Sequence, residues 1–598
     1  MFLVYTSNED FWDKEQKIIF MSESCKLYKR KEMWKNLDTE TVENIWNDYE
    51  NNQSRVNYLN KLQDEVISHL KIKINNFTNK NYSDKFWRTI LTPFLIYYIT
   101  NFYDKYIHIK KAIELYNEKL STYLLDENSY ITIYDISEYL NIMKSEEWNL
   151  QVSSQIIRNL DEIKIIDIKK INNFNNKISE NNFVVNKIKN YIWKFISILC
   201  YNSDVKLFSN QLTISQQIKL VIKSKLKIGI NRCKKFSSNK KFLINKSLRS
   251  SYSEVDSDDE FYRILIKSLE NNLPMQYLEQ LDSMLLDSIK FYGNRVPKYI
   301  LQDTVLYTNS HFALWFAYCA ENGAMTIGIQ HGGGYGNRLN NNSEEFELKI
   351  NNYYITWGWK NCLYKTIPLP SPILINKFKN KKMTDSVILT GTLIQNYHSN
   401  YYSAPIGDQF LEYLNWQIRF AKSLDHKVRN KLIIRLFPED SVWDIQQRLC
   451  DKLKKINIIR NNNPEDFKEK LAECRLFISD NMNTTFIQSL SLNKPTIIFW
   501  NCDHWVISKY SESYFKLLHE AGIFHSNPES AASKINEVFD YLEDWWYSEK
   551  VQYAVKIFIE QFGRSSLTWD KEWIDTINDI IFNDKLKSCK KIIGDINI

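Results

Sequence analysis

Long apolar runs are missing from this 598-residue chain. The longest mostly apolar stretches, 94–99 and 191–200, fall far short of a bilayer span, which excludes an integral membrane protein. The first ten residues lack a basic region and a long apolar core, so no secretory leader is expected. The nine cysteines (Cys25, Cys200, Cys233, Cys319, Cys362, Cys450, Cys474, Cys502, Cys589) stand singly, with no Cys-x-x-Cys and no histidine at metal-ligand spacing. That pattern points to a reduced, cytosolic protein without a structural zinc site. A net charge of +7 is small for this length and implies no nucleic-acid partner. Glycine and proline are scarce, at 14 and 11 residues, so any glycine cluster carries weight.

One such cluster exists. After the apolar run that starts at Met325 come Gln330 and His331, then Gly332, Gly333, Gly334, Tyr335 and Gly336. Glycines let backbone N–H groups approach a ligand without a Cβ in the way, and such a loop after a strand suits an anion or a tight turn. It is not a Walker loop, because no Gly-Lys-Ser/Thr follows. Nor does an Asp-x-Asp metal motif stand at a strand end, so neither a metal nor another cofactor is expected.

The length allows two or three domains, and 44% hydrophobic with 25% charged residues is an ordinary soluble composition. A short strand is read from Lys17, and helical spacing of Trp, Tyr, Leu and Ile dominates 39–119. Residues 205–253 hold twelve Lys or Arg and no Asp or Glu, and an acidic block follows at 254–260. Within the basic segment, Lys219, Lys223, Lys225 and Lys227 interleave with aliphatics. That face would either lie on an anionic membrane surface or pair with the acidic block. After Pro297 strands and helices alternate: strands at 303–309, 325–330, 353–359, 386–390, 432–436, 456–460, 476–479 and 496–500, with Pro368, Pro370 and Pro372 marking a linker. Such alternation predicts an α/β fold with parallel sheets covered on both faces. Helices dominate from Ser511 to the end.

Ligands of such sheets bind beyond the carboxyl ends of the strands. Three polar segments stand there: Gln330-His331 with its glycine loop, Arg435-Leu-Phe-Pro438-Glu-Asp440, and Ser479-Asp-Asn-Met-Asn483-Thr484-Thr485. The last opens a helix whose N–H groups and dipole can hold a phosphate. Singly, Arg435 could be an ion pair and Asn483-Thr484 a plain N-cap. Together the segments predict two Rossmann-like domains facing a cleft. The expected boundaries are 1–365 with helical insertions over about 39–300, then 366–545, then C-terminal helices 546–598 packing back on the first domain.

The segments Phe11-Trp-Asp13, Trp46-Asn-Asp48, Phe86-Trp-Arg88, Gln330 to Gly336, Tyr354 to Trp359, Arg435 to Pro438, Asn483 to Thr485, Asn493-Lys-Pro-Thr496, Gly522-Ile-Phe-His525 and Trp545-Trp546 carry a resemblance along nearly the whole chain. It resembles a family of bacterial transferases found with surface-polysaccharide genes. More distantly it is similar to the capsule and O-antigen Kdo transferases, which use CMP-activated ulosonic acids on a two-domain, GT-B-like fold. The chain departs from the family pattern at Phe437 and Glu439, and at Asn351 and Asn352, where an acid is expected, leaving Glu347 nearby. The resemblance implies a nucleotide-sugar donor, CMP-linked by preference over UDP or GDP, and a glycan, lipid-linked or protein acceptor. A non-catalytic glycan- or nucleotide-binding protein is the competing class. For transfer, Arg435 and Asn483-Thr484-Thr485 would hold the phosphate, and His331 with its glycines would face the sugar. Glu347, then Glu23, then Asp10 are candidates for the catalytic carboxylate. The expected location is the cytoplasm, with peripheral contact at the inner membrane face.

Overall fold

The structure is a computed structural model. It describes all residues except 117–118, 172–195, 197, 232–242, 376–382, 401–402, 440–442, 461–463 and 597–598, and the side chains of 464–466 and 584–596. The described residues build three parallel sheets.

The first sheet holds β1 (Phe2–Val4), β2 (Ile18–Phe20), β3 (Thr39–Thr41), β4 (Ser121–Leu125) and β5 (Lys164–Lys169), in the order β3-β2-β1-β4-β5. The second holds β6 (Val205–Phe208), β7 (Ile228–Ile230), β8 (Tyr299–Gln302), β9 (Met325–Ile329), β10 (Tyr353–Thr356) and β11 (Thr366–Pro368), in the order β11-β10-β9-β8-β6-β7. The third holds β12 (Val387–Thr390), β13 (Leu432–Leu436), β14 (Asn457–Arg460), β15 (Leu476–Ser479), β16 (Thr496–Phe499) and β17 (Phe524–His525), in the order β14-β13-β12-β15-β16-β17. The third order is that of the Rossmann fold, and its direction reverses between β12 and β15, where a crevice opens for ligands. In the second sheet the reversal lies between β6 and β8.

The sequence expectation of two Rossmann-like units holds for the second and third sheets, and the first is an addition. Strands β3 to β7 all lie within 39–300, a stretch that sequence reasoning assigned to helical insertions. Their apolar runs are short and broken by lysine or glycine, as in Lys164–Lys169 and Ile228–Ile230, which hides the strand signal. The strand expected at 303–309 is also corrected. Strand β8 ends at Gln302, and Val305–Thr308 is a short buried helix. The Asp303 carboxylate turns the chain there by accepting the N–H groups of Asn210 and Thr304.

Helix Asp84–Tyr116 is the hub of the largest core, with Phe86, Trp87, Phe94, Tyr98 and Phe102 fully buried on it. It packs against helices Tyr49–Thr78, Glu146–Ile157 and Ser310–Glu321.

At the other end of the chain, Trp569, Trp573 and Ile577 bury against β6 to β10. Trp573 Nε1 donates to the Pro370 carbonyl at 2.9 Å, and Arg564 donates to the Pro368 carbonyl, so the proline segment is held rather than loose. The basic helix Ile214–Lys223 is part of this seam: Lys219 and Lys223 both pair with the buried Asp570, at 3.1 and 2.5 Å. Its Lys219 and Lys223 find their partner in the C-terminal helix rather than in the acidic block. No helix among the described residues is long and apolar enough to cross a membrane.

Replacing Trp573 with alanine removes a fully buried indole and a hydrogen bond, and should lower stability by about 3–5 kcal/mol. Urea unfolding monitored by circular dichroism measures it, and a loss below about 1 kcal/mol would show that the C-terminal helix does not support the second sheet.

Candidate functional site

Strand β9 delivers Gln330 and His331 to the carboxyl edge of the second sheet. Gln330 does not face outward: it is buried, and its Oε1 accepts the Trp357 N–H and the Trp359 indole N–H, both at 2.8 Å. Its amide also donates to the Gly332 carbonyl, so it sets the start of the loop. Gly336 then turns the chain at φ +74°, where a Cβ would strike the Trp359 ring.

His331 meets Glu347, which stands on helix Asn342–Ile350 between β9 and β10. His331 Nε2 lies 2.9 Å from Glu347 Oε1 and 2.8 Å from the Tyr335 hydroxyl. The same carboxylate accepts the hydroxyls of Tyr307 at 2.9 Å, Tyr335 at 2.9 Å and Tyr354 at 2.6 Å. Glu347 is 1% exposed, while the His331 side chain keeps 19% of its surface. Among the described residues no hydrogen bond reaches His331 Nδ1. The arrangement is therefore a buried acid holding one ring nitrogen and leaving the other available. Burial works against the imidazolium, but the charge of Glu347 and its hydrogen bond outweigh it, so the His331 pKa is raised. One turn earlier, burial pushes the Glu344 carboxyl up to about 8 against the hydrogen bond from the Gly336 N–H.

The third sheet supplies the facing wall. Beyond β15, Asp480 is buried with its pKa raised to about 6 by desolvation, and it accepts Tyr413, Gln417 and Asn481. Asn483 stands at the N-cap of helix Thr484–Ser491, yet its side chain makes no capping bond. Instead its amide donates to Thr392 Oγ1 at 2.8 Å, at the crevice between β12 and β15, and its carbonyl oxygen accepts Arg338. The side chains leave the first-turn N–H groups of this helix uncapped.

The two walls touch. The Gly333 N–H donates to Thr484 Oγ1 at 3.0 Å, and a Cβ at Gly333 would come within 2.8 Å of Thr484 Cα. Arg338 also donates to the Met482 carbonyl, and its guanidinium lies 5.2 Å from the Trp505 ring. Ser508 and Ser511 hold the backbone of Gly336 and Asn337. The loop and the helix start, expected to face each other across a cleft, are joined here at its floor.

Of the residues singled out from sequence, the structure brings together His331, Glu347, Gly332, Gly333, Gly334, Tyr335, Asn483, Thr484 and Thr485. Arg435 lies on β13 beside Thr390 of β12, buried, with its guanidinium 4.7 Å from the Phe467 ring. Pro438 follows it, and Asp440 lies outside the described residues. Glu23 and Asp10 are elsewhere. Both sit beyond the carboxyl edge of the first sheet: Glu23 pairs with Lys26 at 2.6 Å, and Asp10 is exposed. Neither contacts His331 or Glu347 among the described residues. Sequence reasoning missed Tyr307, Tyr354, Arg338 and Thr392, and gave Asp480 no role of its own within the segment Ser479 to Thr485. Arg338 alone carried a readable signal, a cation two residues past the glycine loop. No cluster of three His, Cys, Asp or Glu able to hold a metal occurs among the described residues.

The fold and site define an α/β protein of paired parallel sheets with an acid–imidazole pair at their junction. Residues 1–577 match the LIC12162 family transferase, and the chain belongs to that family of transferases. No curated protein matches the chain. Among solved structures it is similar to S. aureus MnaA bound to UDP, at 10% identity and TM-score 0.36 over 63% of this chain and 96% of that one. It is similar to UDP-GlcNAc 2-epimerase from Neisseria meningitidis bound to UDP-GlcNAc, at 12% identity and TM-score 0.33 over 60% and 98%. It is also similar to the wall teichoic acid polymerase TagF, at 10% identity and TM-score 0.29 over 66% and 96%.

Replacing Glu347 with glutamine removes the charge that raises the His331 pKa. Because that pKa is higher folded than unfolded, the pairing stabilises the fold fully below the ordinary imidazole value and fades as pH rises through the folded value. The stability difference between wild type and Glu347→Gln should therefore be largest in mild acid and shrink above neutrality. NMR titration of His331 should show a lower midpoint in the variant, and an unchanged midpoint would contradict the pairing.

Proposed function

We propose that the protein is a glycosyltransferase that moves a sugar from a nucleotide donor, most readily a CMP-activated ulosonic acid of the Kdo or nonulosonate type, onto a hydroxyl of a surface glycan, a lipid-linked glycan or a protein. The observation that carries this reading is the contact between the His331 loop and the start of helix Thr484–Ser491. An imidazole base and a set of uncapped N–H groups thereby share one floor.

In this reading the first-turn N–H groups and Thr484 hold the donor phosphate, where the helix dipole favours an anion. Arg435 adds positive charge from β13, and Arg338 braces Asn483. A ulosonic acid brings a second anion, its own carboxylate, which suits a site with two guanidinium groups nearby. His331, held through Nε2 by Glu347, receives the acceptor hydroxyl proton at Nδ1. The acceptor oxygen attacks the anomeric carbon, and the nucleotide leaves with the electron pair of the broken C–O bond. Glu347 acts through His331 as a positioning residue, since its four hydrogen bonds and burial keep it from the sugar. Glu23 and Asp10, set apart on the first sheet, have no part in this step. The CMP preference rests on the family resemblance, and a UDP or GDP sugar would use the same floor.

His331→Ala should lower turnover by about 10²–10⁴-fold, the usual contribution of a general base, with little change in nucleotide affinity. In the wild type, turnover should fall as pH drops through the raised His331 pKa. An active His331→Ala enzyme would refute the assignment. Thr484→Ala should weaken nucleotide binding by about 1–3 kcal/mol. A thermal-shift panel of CMP, UDP, GDP and their sugars identifies the donor, because a bound ligand stabilises the fold by mass action. Silence across the whole panel would favour a non-catalytic binding protein.

A further inference from the structure

The edge of the second sheet opposite His331 is built differently from the rest of the surface. Strands β6 and β8 begin there, and the segments that lead into them, residues 201–204 and 290–298, wall an open cavity of about 380 Å³. Its walls include Tyr201, Lys206, Lys290, Phe291, Arg295 and Lys298. Asp204 is the one carboxylate among the lining residues, and Lys298 pairs with it at 2.8 Å. Four cations thus line the cavity against Asp204, with Lys290 also 4.0 Å from Asp287 and Lys206 donating to the Cys200 and Tyr201 carbonyls, so the cavity keeps a net positive charge carried mainly by Lys290, Arg295 and Lys298.

Around this cavity large apolar side chains stand in solvent. Tyr201 is 61% exposed, Phe291 40% and Leu226 42%, and Ile198 and Leu199 stand out beside them. Their exposure is built into the fold. Ser203 Oγ holds the Leu226 carbonyl at 2.6 Å, Lys206 donates to the Tyr201 carbonyl, and Arg295 donates to Asn202 with its guanidinium 5.8 Å from the Tyr201 ring. Exposed aromatics and aliphatics ringed by cations suit the bilayer interface, where apolar groups enter the headgroup layer and lysine or arginine meets lipid phosphate. A purely soluble anion would need the cations and would leave the apolar rim without a role.

We propose that this amino-edge face of the second sheet docks the protein on an anionic phospholipid surface. The cations of the cavity wall bind headgroup phosphates, and Tyr201, Leu226 and Phe291 insert beside them. A four-residue strand separates this edge from the opposite one by roughly 13 Å, so docking leaves the His331 edge open to its own ligands. The surface is separate from the basic helix Ile214–Lys223, whose Lys219 and Lys223 share the single carboxylate of Asp570. Docking at this edge does not depend on the proposed transfer reaction.

Flotation of the full-length protein with phosphatidylcholine vesicles, with and without phosphatidylglycerol, tests it. Binding should require the anionic lipid and weaken with salt. A cation near such a surface contributes roughly fivefold to partitioning, so Lys290→Gln, Arg295→Gln and Lys298→Gln combined should lower it by tenfold or more. Tyr201→Ser with Phe291→Ser should reduce the part that survives high salt. Unchanged melting temperatures establish that these surface variants fold, and Lys516→Gln with Lys556→Gln, on exposed helices beside the third sheet, should bind as the wild type does. Four results would overturn the proposal: no flotation, equal flotation of the cavity variants, equal loss in the distant lysine variants, or thermal stabilisation by inorganic phosphate without vesicle binding. The last would make the cavity a site for a soluble anion.

Discussion

A single buried carboxylate organises the carboxyl edge of the second sheet. Glu347 would cost several kcal/mol if it were buried without partners. It is stabilised by four donors drawn from different connections: Tyr307 after β8, His331 and Tyr335 after β9, and Tyr354 within β10. Satisfying that one anion therefore fixes the relative positions of three successive strand ends and sets the orientation of the imidazole. The tyrosines keep solvent from the acid, so its charge acts on His331 with little screening. A catalytic imidazole needs a fixed tautomer and a free nitrogen, and this cage provides both.

The second constraint is steric. The glycine loop can be joined to the helix after β15 only because Gly333 has no side chain, and Thr484 Cα occupies the space a Cβ would need. Arg338 and the serines at 508 and 511 stitch the same junction from the flanks. The crevice of the third sheet and the acid–imidazole pair of the second thereby become one surface. The first turn of helix Thr484–Ser491, which its N-cap side chain leaves uncapped, offers N–H groups to an anion.

Most of the third sheet was legible in the sequence because its strands are dominantly apolar runs, such as Val387–Thr390 and Thr496–Phe499, separated by polar helices, whereas the two-residue β17 lies in a stretch read as helical. Apart from β2, read from Lys17, the first sheet and β6 and β7 were not, since runs like Lys164–Lys169 look like solvated segments. Val305–Thr308 was read as a strand because its three apolar residues fit either period. At the site, the concentration of scarce glycine exposed the loop, and Glu347 was reachable as the acid near Asn351 and Asn352, where the family resemblance implies one. Tyr307 and Tyr354 were not, because nothing in their spacing ties them to an acid 40 and 7 residues away. Likewise the basic helix pairs with an aspartate 351 residues distant from Lys219, a tertiary contact that no local charge pattern announces.

The central claim is that the imidazole and the helix start serve one ligand. A crystal structure of the protein with a CMP-linked sugar, or with whichever nucleotide sugar stabilises it, tests this most directly. The account predicts the donor phosphate against the backbone N–H groups that open helix Thr484–Ser491, with the anomeric carbon turned toward the open nitrogen of His331. A nucleotide seated on another sheet edge, or one that leaves the sugar remote from His331, would contradict it.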